Sequence, residues 1–175
     1  MRKSTNARKS AERKLVETYR TDVIGIPIVL HHSVWEERVP GEEEPRVVIP
    51  DLEGLIAAAA IARIKCPFKL SGREIKFLRK ALGISSKELA KKLNVAKETV
   101  SRWENAKEPV GPMAERLLRI YVGLKLRTDA PAVQFDPEDV MMMEVQSVRR
   151  ADATLVMHFS RVNVDQWEEA DKKAA

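Results

Sequence analysis

The stretch GISSKELAKKLNVAKETVSRWENAK, residues 83–107, decides how the other parts of the 175-residue chain are read. Gly83 ends one helix, because glycine tolerates the left-handed backbone of a helix stop. Ser85 followed by Glu88 has the spacing of a capping box. Leu89, Ala90 and Leu93 then fall on one helical face. Asn94 stands where a sharp turn needs a residue that accepts positive φ. A further helix is expected from about Lys97 to Asn105, with Val100 and Trp103 turned inward.

Two short helices joined by such a turn, with small Ala90 at their crossing, make a helix-turn-helix. The unit presents its second helix to the major groove of DNA, and the N-terminal part of that helix reaches base edges. With Leu89, Leu93, Val95, Val100 and Trp103 setting the interhelical angle, Lys97, Glu98, Thr99, Ser101 and Arg102 face outward as candidate base contacts. The Arg102 guanidinium can fork onto guanine O6 and N7, worth about 1–3 kcal/mol of discrimination. Thr99 offers a methyl to thymine and a hydroxyl to phosphate or base. Glu98 can accept from a cytosine amino group, or repel phosphates and so sharpen register. Ser85, Ser86 and Lys87 lie at a helix N-terminus, where free amides and the dipole attract phosphate. Lys107, just past the reading helix, is a candidate backbone contact. Lys69, Arg73 and Lys76 are further candidates for the same task. Lys80, Lys91 and Lys92 read as solubilising charges.

The net charge of +5 hides a pattern. Residues 63–107 carry thirteen basic and four acidic side chains, a local excess of +9. The segments 21–62 and 128–175 are acidic, at −6 and −5. A polyanion meets the central segment first, because its field is concentrated there.

Around this centre the chain divides into four parts. Residues 1–20 read as a flexible basic arm. Residues 21–50 form an N-terminal β segment. Val23 to Leu30 favours a strand, with Pro27 marking an edge or a break. Arg46 to Ile49 makes a second strand across the loop 39–45. Residues 51–127 form the helical domain. Asp51 caps a helix over Leu52 to Lys65, apolar almost all round and so buried. Ser71 and Glu74 repeat the capping-box spacing ahead of Ile75, Leu78 and Leu82. Pro112 opens a last helix carrying Leu117, Leu118, Tyr121 and Leu124. Residues 128–175 form a C-terminal β segment and tail, with strands expected over Val140 to Val148 and Thr154 to Val162, joined by 149–153. Met141, Met142 and Met143 read as core filler. The fold class is α+β: a four- or five-helix core flanked by hairpin-like β segments that pack together or exchange between subunits.

The run Val100-Ser101-Arg102-Trp103-Glu104-Asn105, after Leu89-Ala90 and Leu93-Asn94-Val95, resembles the Cro/repressor-type (XRE) helix-turn-helix family. The chain departs from that family at Ala106, where glycine is usual, and at Ala96, where a capping serine is common. Over about residues 47–124 it also looks like the MqsA/YgiT-type antitoxin and regulator family. That likeness rests on Val48 to Glu53, Lys69 to Lys80, and Ala114 to Arg119. It implies a dimer that represses transcription, often of its own operon. It also implies base contacts at Glu98 and Arg102, of which the arginine matches in type. The zinc ribbon of those antitoxins needs two cysteine pairs, and this chain has one cysteine, Cys66.

Other constellations point to no chemistry. His31 and His32, near Glu36 and Glu37, are adjacent in a strand and so face opposite ways, which suits surface histidines better than one metal ion. Cys66 beside proline, with no evident base, reads as a small filler. Asp136, Glu138 and Asp139 suit a solvated helix start. Trp35 and Trp167 read as core or interface anchors. The longest apolar run is far short of the roughly 20 residues that span a bilayer. A sequence-specific transcriptional regulator is therefore expected: a dimeric repressor of double-stranded DNA, cytoplasmic and nucleoid-associated. No catalysis, cofactor, metal or membrane is expected. The alternative is an antitoxin-like module that neutralises a partner enzyme, with DNA binding secondary.

Overall fold

The computed structural model describes residues 12–146, 155–163 and 166–170. Three strands come first: β1 (Glu12–Thr21), β2 (Ile28–Arg38) and β3 (Arg46–Val48). Five helices follow: α1 (Leu52–Lys65), α2 (Gly72–Ala81), α3 (Ser86–Leu93), α4 (Lys97–Glu104) and α5 (Pro112–Leu126). The short α6 (Pro137–Met142) and strands β4 (Met157–Asn163) and β5 (Gln166–Glu169) complete the set. The class is α+β, and the strands from both ends of the chain join one five-stranded sheet. Its order is β1-β2-β4-β5, with β3 on the far end of β2. β2 and β4 run parallel, pairing Ile28 with Met157 and His31 with Ser160. Ile28, Leu30, Val34 and Phe159 turn from the sheet into the core. There they meet α1, whose Ala57 to Ala62 are all buried. Alanines allow that close approach, and Trp167 of β5 fastens it by donating from Nε1 to the Asp51 carbonyl at 3.0 Å.

The sheet departs from expectation in several places. β1 begins at Glu12, inside the stretch expected to be a loose arm; residues 1–11 lie outside the described residues. β1 is charged and largely exposed on both faces, so it carries no apolar period to betray it, and its pairing with β2 is what makes it a strand. Residues 22–27 form a turn, and β2 starts only after Pro27. The strand expected from Val140 is instead α6 and a coil, because Asp136 caps a helix by accepting from the Glu138 amide at 2.8 Å. Residues 147–148 and the connection 149–153 lie outside the described residues. Met141 and Met142 are exposed rather than core filler. His31 is buried, not a surface residue: it stacks on His158 with ring centroids 5.1 Å apart. His32, with φ 48, is the exposed residue of a bulge.

Three consecutive helices stop in one way. After α2 the Ile84 amide reaches back to the Arg79 carbonyl and the Gly83 amide to Lys80. After α3 the Val95 amide reaches Ala90 and Asn94 reaches Lys91. After α4 the Lys107 amide reaches Arg102 and Ala106 reaches Trp103. Each is a Schellman stop, which needs one left-handed residue. Those residues are Gly83 (φ 66), Asn94 (φ 54) and Ala106 (φ 54). Glycine and asparagine accept that region; alanine pays a steric cost there.

The connection between α1 and α2 has no regular structure; Cys66, Phe68 and Lys69 are half-buried and Leu70 is buried. Two buried arginines satisfy its carbonyls. Arg119 of α5 donates to Ile64, Cys66 and Phe68 at 2.7, 2.7 and 2.6 Å. Arg63 of α1 donates to Phe68 and Lys69, both at 3.1 Å. Each has a carboxylate: Arg119 meets Glu115 at 2.7 Å, and Arg63 meets Glu74 at 2.6 Å. Glu115 also accepts from the Leu70 amide at 2.9 Å. Burial lowers the Arg119 pKa from its ordinary value, and the Glu115 carboxylate works against that fall.

Two stability outcomes follow. Ala106→Gly should raise stability by about 0.5–1 kcal/mol, read as a higher urea midpoint with an unchanged slope. Glu115→Gln should lower it by about 3–5 kcal/mol, because Arg119 is left charged and uncompensated in the interior.

Candidate nucleic-acid interface

The helix pair is built from both ends of α3. Ser85 and Glu88 close a reciprocal capping box: the Glu88 amide donates to Ser85 Oγ at 3.2 Å, and the Ser85 amide and hydroxyl both donate to Glu88 Oε2 at 2.7 Å. The backbone amide first, and then the hydroxyl, hold the Glu88 carboxyl below the ordinary carboxylate range. A depressed carboxyl stabilises the cap at neutral pH, and that contribution fades as pH falls through the folded-state value. At the other end Asn94 turns the chain into α4. Leu89, Ala90 and Leu93 of α3 and Val100 and Trp103 of α4 are buried together.

The outer face of α4 follows from that packing. Lys97, Glu98, Ser101 and Arg102 are exposed, and Thr99 is half-buried. Arg102 is 62% exposed and lies 3.8 Å from Glu108, itself 49% exposed. Such a surface pair is worth no more than about 1 kcal/mol and leaves the guanidinium available. The N-terminus of α4 at Ala96 has no side-chain cap.

The expected phosphate contacts fall into two groups. Ser85, Lys87 and Lys107 are exposed and Ser86 half-buried, around the helix pair. The Ser85 amide is engaged by Glu88, so the open anion-attracting groups at that helix start are those of Ser86 and Lys87. The second group lies elsewhere. Arg73 donates to the Gly25 carbonyl and to Asp22, both at 2.7 Å, tying α2 to the turn before β2. Lys76 lines a groove beside that turn. Lys69 is half-buried in the α1–α2 connection, and its amide donates to Gln146. Lys92 lies 5.8 Å from the centre of the Tyr121 ring on α5, a packing role as well as a solubilising one.

Arg79 and Glu104, to which the sequence assigns no site role, orient the reading helix. Arg79 of α2 grips Glu104, the last residue of α4, through Nε at 2.5 Å and Nη2 at 3.2 Å. Its Nη1 donates to the Ile84 carbonyl at 2.9 Å. Beside this clamp, Gly72 lets α2 approach α4 closely: a Cβ there would lie 2.3 Å from the Trp103 carbonyl oxygen. The legible signal was the Trp103-Glu104-Asn105 run, but a carboxylate's partner 25 residues away is set only by the fold.

Among the described residues no cluster of three or more His, Cys, Asp and Glu is placed to hold a metal ion, and no helix is long and apolar enough to cross a membrane. Burial raises the Cys66 thiol pKa, against the nearby Arg63 charge.

Two capped helices meeting at a tight turn, the second with a polar outer face and basic surroundings, define a helix-turn-helix. Residues 75–121, from within α2 to within α5, match the XRE-type helix-turn-helix family model, a DNA-binding class. No curated protein and no solved structure matches the chain.

The clamp makes a prediction. In a double-mutant cycle of Arg79→Met and Glu104→Gln, stability by urea titration should show a coupling energy of about 1–3 kcal/mol. Additive effects would mean that the pair does not hold α4.

Proposed function

We propose that the protein is a sequence-specific transcriptional regulator that binds as a homodimer to an inverted repeat and represses by occluding a promoter, including its own. One observation carries this reading: α4 turns Lys97, Glu98, Ser101 and Arg102 to solvent while Val100 and Trp103 are buried. In the major groove Arg102 reads guanine O6 and N7, and Glu98, Thr99 and Ser101 read or restrict neighbouring positions. Lys97 sits at the start of the helix, within reach of base edges. Ser85, Ser86, Lys87 and Lys107 hold phosphates and set register. A two-fold dimer sets the two reading helices about 34 Å apart, one turn of the duplex. The reading includes no catalysis, and its setting is the nucleoid in the cytoplasm.

An antitoxin-like role, with the β segments covering a partner enzyme, is the second reading. What favours it is the sheet: Leu15 and Trp35 are cross-strand neighbours, 39% and 37% exposed. Co-purification of a small basic enzyme whose activity the protein suppresses would support it.

The test is footprinting and binding selection on DNA upstream of the gene. A protected inverted repeat is the expected result; a protein with no sequence preference overturns the proposal. Arg102→Ala should weaken the selected site by about tenfold or more and leave the fold intact. Lys107→Ala should weaken all duplexes alike and reduce the salt slope by about one unit.

A further inference from the structure

A groove of about 410 Å³ opens between the turn before β2 and the helices α1 and α2. Its floor is apolar: Ile24, Ile56 and Phe77. Its rim is cationic: Arg73, Lys76 and Lys80, along one side of α2. Arg73 is engaged, since its bonds to Asp22 and Gly25 hold the turn in place as one wall. Among the described residues neither Lys76 nor Lys80 has an ion-pair partner. No carboxylate lines this groove, whereas the next recess, which shares Lys80, is bordered by Asp51, Glu53 and Asp129.

We propose that this groove binds a small amphipathic anion, a carboxylate on an aromatic or branched aliphatic body. The volume suits a small molecule, because ligand pockets run from about 300 to 1,000 Å³. The apolar body lies on Ile24, Ile56 and Phe77. The carboxylate takes the ammonium groups of Lys76 and Lys80, and the acidic recess alongside repels it from the opposite orientation. A phosphate backbone would use the rim and waste the floor. This inference does not depend on duplex recognition: Lys76 is here a ligand contact, and Arg73 is a positioning residue that holds the wall.

The experiment titrates 4-phenylbutyrate into the full chain and follows backbone amide shifts by NMR. A saturable one-to-one response at Ile24, Gly25, Lys76, Phe77 and Ala81 is expected. The neutral analogue 4-phenylbutanol should bind about tenfold more weakly, since a charge contact of about 1.4 kcal/mol is lost. Acetate and inorganic phosphate, which lack the body, should give no saturable response. Lys76→Ala/Lys80→Ala should weaken phenylbutyrate by about tenfold or more with an unchanged circular dichroism spectrum. The proposal fails if the alcohol binds as tightly, if phosphate binds as well, or if shifts scatter over the surface. It also fails if the double variant leaves phenylbutyrate binding unchanged while losing affinity for duplex DNA with a flatter salt slope, which would make these lysines phosphate contacts.

Discussion

Arg63 and Arg119, both buried, hold a half-buried stretch of chain that has no regular secondary structure of its own. The connection from Ile64 to Leu70 joins α1, which lies on the sheet, to α2, which begins the helix-turn-helix. Buried carbonyls without partners cost free energy comparable to a lost hydrogen bond. Here the guanidinium donors of α1 and α5 reach four of them and share Phe68. The carboxylates of Glu74 and Glu115 keep those charges compensated, and Glu74 is at the same time the capping-box residue of α2. One polar network therefore fixes the start of α2, the end of α1 and the inner face of α5.

From that anchor the reading helix is positioned in steps. α2 is held at its start by Ser71 and Glu74. Near its end Arg79 clamps the last residue of α4 and the Ile84 carbonyl. α3 and α4 are fastened to each other by apolar contacts, and the local Schellman stops set the turns before and after them. The outer face of α4 is thus not stabilised by its own residues. Lys97, Glu98, Ser101 and Arg102 are exposed and take little part in packing; Ser101 Oγ accepts a weak 3.4 Å bond from Asn105, and Arg102 pairs loosely with Glu108.

The Cys66 thiol sits within this framework, where its Sγ donates to the Ala62 carbonyl at 3.4 Å and burial raises its pKa. The His31–His158 contact does comparable work in the sheet. It bridges parallel β2 and β4 and so ties the two ends of the chain, with Nε2 of one ring 2.9 Å from Nδ1 of the other.

Local chemistry made the helical domain legible. Capping boxes at Ser71 and Ser85, the cap at Asp51, Pro112 at a first turn and the stops at Gly83 and Asn94 act within a few residues, so their spacing determined where α1, α2, α3 and α5 begin and where α2 and α3 end. The outward face of α4 followed from a 3.6-residue period with Val100 and Trp103 inside. Tertiary structure decided everything that depends on partners far apart in the chain. β1 became a strand by pairing with β2, not by any pattern in its charged residues. Arg63, Arg79 and Arg119 became anchors because folding brought carbonyls and carboxylates to them. His31 became an interior residue because β4, 127 positions later, lies beside it. Short-range hydrogen bonds are written in order along a sequence; burial, strand partnership and the pairing of interior charges are settled only when distant segments meet.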